Sequence, residues 1–215
     1  MKSFKSMAAT GLMIASMHAN AGLIVNGGSV QSIAAGNDFA ADIGAGQYNI
    51  GGNLFFDAFT SDPKVDLTFT YLDHEAGWNN VFSAYGVGSI SNQGTTYLDS
   101  FSVGNVDTAA MGGLLDFDFE VVGPAGANLG GIANGSNAFP EAGGKSFAII
   151  LDTTFRGIAY DALLLWDDAG GGSGDDDNHD DHIIGLTIAK VPEPGTLALF
   201  GLGLLGLGIS RRRVS

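Results

Sequence analysis

Leu115-Asp116-Phe117-Asp118-Phe119-Glu120-Val121 alternates an apolar residue with an acid at every step. A period of two places the apolar side chains on one face and the acids on the other, which is the pattern of a half-buried antiparallel strand. Val65-Asp66-Leu67-Thr68-Phe69-Thr70-Tyr71 repeats it, with Thr sharing the outer face. Working outward, residues 146–151, 159–166 and 183–189 are denser apolar runs suited to inner strands, and residues 54–59 form one more β-type run. Asn26-Gly27-Gly28, Gly51-Gly52-Asn53, Ser61-Asp62-Pro63 and Gly143-Gly144 read as turns between them. No helical pattern exceeds about three turns. Many short strands between such turns predict an all-β fold, an antiparallel sandwich or jelly roll.

Composition agrees. The 215 residues suit one domain with small additions. They include 34 glycines, about 16% against a usual ~7%, which disfavours a helical bundle. Fourteen Phe and 45% apolar residues exclude wholesale disorder. The absence of Cys removes disulfides, thiolate metal sites and cysteine nucleophiles together. A formal charge of −14 argues against nucleic acid as a partner. That charge is unevenly spread. Residues 22–194 hold all 23 acids and four basic residues (Lys64, Lys145, Arg156, Lys190), a balance of −19. Acids on exposed strand faces are expected to limit edge-to-edge pairing.

The two ends read as signals. Lys2 and Lys5 precede an apolar segment over residues 7–17, and Ala19-Asn20-Ala21 follows, the order of a secretory signal peptide cleaved after Ala21. At the other end, Val191-Pro192-Glu193-Pro194 leads into a Gly-rich apolar stretch at residues 197–209 and then Arg211-Arg212-Arg213. Thirteen apolar residues fall short of the roughly 20 that a stable spanning helix needs. The arginines would stay cytoplasmic, so the segment reads as a transient stop in the inner membrane, in a short apolar helix. The domains expected are therefore 1–21, 22–190 and 191–215. Pro-Glu-Pro, a short apolar segment and a terminal Arg cluster, in that order, resemble the PEP-CTERM sorting signal. The resemblance implies a Gram-negative bacterium that makes exopolysaccharide. It also implies recognition of Pro192, Glu193 and Pro194 by a membrane exosortase, removal of the tail, and delivery to the cell surface or extracellular matrix.

The densest polar feature follows the apolar strand that ends in Trp166. Seven Asp fall within residues 167–181, interleaved with Gly170, Gly171, Gly172 and Gly174, before the chain re-enters a strand at Ile183. Carboxylates so close repel one another unless something positive sits among them. Calcium, which takes six to eight oxygen ligands in flexible geometry, is the natural candidate. The candidate ligands are Asp167, Asp168, Asp176, Asn178, Asp180 and Asp181. Asp176-x-Asn178-x-Asp180 opens like an EF-hand loop, but Asp181 replaces its Gly and Thr187 its closing Glu, so it is not one. A solvated acidic hairpin loop is the plainer alternative, and a transition metal on His179 and His182 a third. Among so many carboxylates the histidines are expected to protonate and act as counter-charges. The strand, Trp-Asp-Asp, Gly-rich turn, Asn-His-Asp-Asp, strand pattern, with the Glu-Ala-Gly-Trp-Asn-Asn stretch from Glu75, is similar to a DUF4114-type β domain. That likeness implies a secreted β domain with no assigned catalytic activity, and Glu75 is expected near the acidic loop.

Hydrolase chemistry finds little support. His179 and His182 lie in the acidic loop, His74 is the other histidine of the body, and there is no G-x-S-x-G elbow. The expectation is an exported, non-enzymatic surface or matrix protein with a calcium-stabilised β domain. The alternative is a carbohydrate-binding module for exopolysaccharide, and an extracellular hydrolase stands third. Trp166, inside an apolar run, is expected in the core. Trp78, in a polar turn, is open to either core or ligand contact.

Overall fold

The structure, a computed structural model, describes residues 22–57, 64–123, 126–139, 144–168 and 178–191. Among the described residues eleven strands form. The strands are β1 (Leu23–Ser32), β2 (Gln47–Phe56), β3 (Lys64–Asp73), β4 (Asn79–Ala84), β5 (Gly88–Ser91) and β6 (Ser100–Asp107), then β7 (Phe117–Val122), β8 (Asn128–Ala133), β9 (Ser146–Phe155), β10 (Ile158–Asp167) and β11 (His182–Lys190). Six of them (β2, β3, β7, β9, β10 and β11) lie on the runs that the sequence patterns mark. A 3-10 turn, Ala110–Gly113, lies between β6 and β7. Every strand pairing is antiparallel, in a seven-stranded sheet β1-β2-β9-β10-β11-β3-β6 and a four-stranded sheet β5-β4-β7-β8. The fold is a β sandwich.

The apolar faces of the two alternating strands meet between the sheets. Phe117, Phe119 and Val121 of β7 pack with Val65, Leu67 and Phe69 of β3 in one buried cluster. Trp166 joins it, fully buried, with its ring stacked on Phe119 at 5.2 Å. Strands β9, β10 and β11 are apolar on both faces because both are covered. Their outer face, with Ile150, Leu163, Leu165 and Ile183, forms a second cluster with Ile43, Phe155 and Tyr160.

A folded-back hairpin supplies much of that cover. In register Asp73 lies level with Ile183, Leu165 and Ala148. The run from Ala148 to Arg156 would span roughly 26 Å if straight, yet Arg156 Nη2 is 2.7 Å from Asp73 Oδ2. The ladder skips the Asp152–Asp161 pair, with Asp152 in the left-handed region at φ 47°, and there the hairpin tip curls over the sheet. Arg156 and Gly157 (φ 48° and 78°) form the two-residue turn at its end. Tyr160 lies so close over Gly185 that a Cβ there would come within 2.5 Å of its ring. Arg156 clamps the tip. Its Nε donates to Asp42 at 2.7 Å, and its guanidinium sits 5.0 and 5.2 Å from the ring centroids of Phe155 and Tyr97.

Two expectations are corrected. Asn26-Gly27-Gly28 and Gly51-Gly52-Asn53 are not turns: they lie inside β1 and β2, with Gly27 paired to Gly52. Gly28 and Gly51 take φ of 72°, and a Cβ on Gly51 would meet the Ala138 backbone at 2.4 Å, so the glycines permit a bulge and a close approach. The sheet edges are also not guarded by acids. β1, β5 and β8 carry none, and β6 ends in Asp107. Glycine irregularities in β1, bulges against β3 and β7 in β6 and β8, and the shortness of β5 blunt the edges instead. Of run 54–59, residues 54–56 are strand, and residues 58 and 59 lie outside the described residues. The predicted signal peptide, the Ser61-Asp62-Pro63 turn, Gly143 and the apolar C-terminal helix lie outside the described residues, among which no helix is long and apolar enough to cross a membrane.

Arg156→Ala is expected to cost about 1–2 kcal/mol, from two partly exposed ion pairs and the aromatic contacts. Arg156→Lys should recover less than half of this, because one ammonium cannot span both carboxylates. Urea denaturation midpoints check both, and a neutral Arg156→Ala would contradict the clamp.

Candidate metal centre

One pole of the sandwich collects the polar side chains. Trp166 pairs with His182 in the β10–β11 ladder, so Asp167 and Asp168, leaving β10, come to lie beside Asp180 and Asp181, entering β11. At the same pole the chain crosses from one sheet to the other between β3 and β4, and this connection carries Glu75. The backbone N–H of Glu75 donates to the Asp180 carbonyl at 3.0 Å, and that of Asp181 to the Trp166 carbonyl at 3.1 Å. Carboxylate oxygens of Glu75, Asp180 and Asp181 thereby lie within 4.8 Å of one another.

Asp180 is the centre of the group. It has no exposed surface. Its Oδ2 accepts from the Asp38 N–H at 2.7 Å, and its Oδ1 has no hydrogen-bond partner among the described residues. Burial, reinforced by the facing carboxylates of Glu75 and Asp181 and opposed by the Asp38 N–H, pushes its carboxyl up to about 7. Asp180 therefore holds a proton up to near neutral pH.

The other predicted ligands that are described, Asp167, Asp168 and Asn178, make contacts of their own. Asp168 accepts from Asn80 Nδ2 at 2.8 Å, and its own N–H donates to Asp181 Oδ2 at 2.7 Å. Asn178 donates to the Gly36 carbonyl at 3.1 Å, and its own carbonyl accepts from Asn37 Nδ2 at 2.9 Å. Asp167 Oδ2 lies 3.9 Å from His179 Nδ1, and His179 Nε2 lies 2.7 Å from Ser146 Oγ. That Ser-His-Asp connectivity is sealed: Ser146 has no exposed surface and stands in the ladder opposite Asp167. Asp176 lies outside the described residues.

His182 corrects the expectation of protonated histidines. It is fully buried, with its ring 5.6 Å from Tyr71 and 5.9 Å from Phe119, and neither ring nitrogen has a partner among the described residues. Burial first, and His74 second, push it down to about 3, so it is neutral at ordinary pH.

A line of buried asparagines supports the pole, and sequence reading passed over it. Asn80 Oδ1 accepts from Trp166 Nε1 at 3.1 Å, and the Asn80 N–H donates to Asn92 Oδ1 at 2.9 Å. Asn92 Nδ2 donates to the Trp78 carbonyl at 2.8 Å. Asn137 bridges the Gly52 and Phe147 carbonyls, each at 2.8 Å, where β2 and β9 share only two ladder pairs. Asparagine is the turn residue of sequence reading, and nothing in its spacing here separates a turn from a buried bridge.

The strand that brings in this cluster, β11, ends at Lys190, and residues 190–213 match the PEP-CTERM protein-sorting motif. The chain carries a PEP-CTERM sorting signal. The motif implies a protein that is processed by an exosortase and exported to the cell surface. No curated protein and no solved structure matches the chain. Pro192, Glu193, Pro194, Arg211, Arg212 and Arg213 of the signal, like Ala19 and Ala21 at the expected leader cleavage site, lie outside the described residues. The carboxylate cluster and the PEP-CTERM junction stand at opposite ends of β11, roughly 25 Å apart along the strand.

The shifted Asp180 predicts a pH-dependent difference. A carboxyl held above its unfolded value costs stability as pH rises from about 4 to about 7, because only the folded state keeps the proton in that window. In chelator, Asp180→Asn should melt with the parent near the bottom of that range and above it beyond pH 7. A constant offset across the range would contradict the assignment.

Proposed function

We propose that the mature protein is a non-enzymatic component of the cell surface or extracellular matrix, associated with exopolysaccharide. In this reading its β sandwich is closed at the membrane-distal pole by a calcium ion on Glu75, Asp180 and Asp181. The observation that carries the reading is the trio itself. Three carboxylates converge around a fully buried Asp180 whose Oδ1 has no hydrogen-bond partner among the described residues. Two oxygens bound to one calcium stand up to about 5 Å apart, since each bond is about 2.3–2.6 Å. The 4.8 Å limit of this cluster meets that requirement. All its donors are hard oxygens, which suits calcium rather than zinc or copper.

The position of the PEP-CTERM signal supports the polarity. While the tail is in the membrane, β11 rises from it at Lys190 and carries the cluster outward. The non-enzymatic reading is supported by the sealed Ser146, which offers no attacking hydroxyl to solvent. With no disulfide available, a cation that binds only the folded chain adds stability by mass action.

The test is thermal melting of the chain from Gly22 onward, in mild detergent, with calcium, magnesium or chelator. Calcium at about 100 times its dissociation constant should add roughly 2.7 kcal/mol and raise the midpoint by several degrees. Magnesium should do less, because it demands tighter octahedral geometry. The double change Asp180→Asn, Asp181→Asn should abolish the calcium response while leaving a folded apo domain. Identical melting in all three solutions would overturn the metal assignment.

A further inference from the structure

The end of the four-stranded sheet holds a second concavity at the same pole. It has a volume of about 450 Å³ and is lined by Trp78, Asn79, Gln93, Val122 and the glycines 77, 123 and 126. A small-ligand site of this size is ordinary when an apolar wall is combined with a few placed polar groups.

Trp78 supplies the wall. It is 37% exposed, unlike Trp166, which has no exposed surface. Its backbone is fixed from behind by the buried Asn92, so the indole is presented on a held frame. Asn79 Oδ1 accepts from Ser91 Oγ at 2.5 Å, which orients that carboxamide. Its Nδ2 and the whole Gln93 carboxamide have no hydrogen-bond partner among the described residues. A flat aromatic face beside two carboxamides, each both donor and acceptor, matches the flat C–H face and vicinal hydroxyls of a pyranose. Among the described residues the lining has no charged side chain, and the neighbouring cluster is acidic, so an anionic sugar is repelled.

We infer that the Trp78 pocket binds a neutral saccharide, with Trp78 stacking on the ring and Asn79 and Gln93 holding its hydroxyls. The pocket is joined to the carboxylate cluster by one hydrogen-bonded chain: the Trp78 carbonyl to Asn92, Asn92 to Asn80, Asn80 to Asp168, and the Asp168 N–H to Asp181. Glu75 and Trp78 share the connection between β3 and β4. An ion bound by Glu75 and Asp181 fixes both ends of this path, so saccharide binding is tighter with calcium. That coupling rests on the calcium reading above; the pocket does not.

Native gels cast with dextran, galactomannan, xyloglucan or mixed-linkage β-glucan test both parts, using the chain from Gly22 onward. At least one neutral polysaccharide should retard the protein, and alginate should not. Trp78→Ala should weaken the retardation at least ten-fold while the melting temperature and its calcium response stay within error. Asn79→Ala together with Gln93→Ala should weaken it without touching the indole. Chelator should reduce retardation of the parent several-fold. Absence of retardation in every neutral gel, or undiminished retardation of Trp78→Ala, overturns the saccharide site. Retardation indifferent to calcium, in a protein whose melting responds to it, overturns the coupling alone.

Discussion

Asp180 sets the central constraint on this molecule. A carboxylate with no exposed surface faces two others, and one of its oxygens lacks a hydrogen-bond partner among the described residues. Burying such a group is costly unless its charge is neutralised. A proton does this at the expense of holding the carboxyl near neutrality, and a divalent cation does it at any pH above that. The ladder that ends at Trp166–His182, the crossing between sheets at Glu75 and the Asp38 N–H all converge on that one side chain. The pole is therefore assembled around a buried carboxyl that faces two others.

The rest of the architecture delivers those groups. Three doubly covered strands, β9 to β11, give the seven-stranded sheet a rigid centre, with one cluster between the sheets and another beneath the folded hairpin tip. Arg156 fastens that tip to Asp42 and to Asp73, the last residue of β3. A single basic side chain thus ties the outer cover to the strand that leads into Glu75. Asparagines, rather than ladder pairs, hold the pole where β2 and β9 diverge, so its rigidity is polar in origin. The PEP-CTERM signal leaves from the far end of β11. The carboxylate cluster and the start of the sorting signal therefore lie at opposite ends of one strand.

Much of this was legible in the sequence. The period of two in Phe117-Asp118-Phe119-Glu120 and the unbroken apolar run before Trp166 state how many faces of each strand are covered, and burial follows them. The sorting signal is legible because its three parts lie next to one another along the chain. The acidic loop pointed to Asp180 and Asp181, two of the three clustered carboxylates. Glu75 reaches the cluster through the crossing between sheets, Asp168 accepts from Asn80, and Asn178 donates to the Gly36 carbonyl. Such choices depend on contacts far apart in sequence. Gly27, Gly28, Gly51 and Gly52 misled for a local reason: positive φ serves a turn and a bulge equally, and only pairing distinguishes them. His182 misled because nearby acids in sequence were taken as its surroundings, whereas its ring lies among Tyr71 and Phe119.

In the proposed reading a calcium ion sits on Glu75, Asp180 and Asp181. Crystals of the chain from Gly22 onward, grown with calcium, would show it directly in an anomalous difference map. The predicted result is one peak within about 2.3–2.6 Å of oxygens from Glu75, Asp180 and Asp181. A bare trio at saturating calcium, with any ion bound elsewhere on the chain, would contradict it.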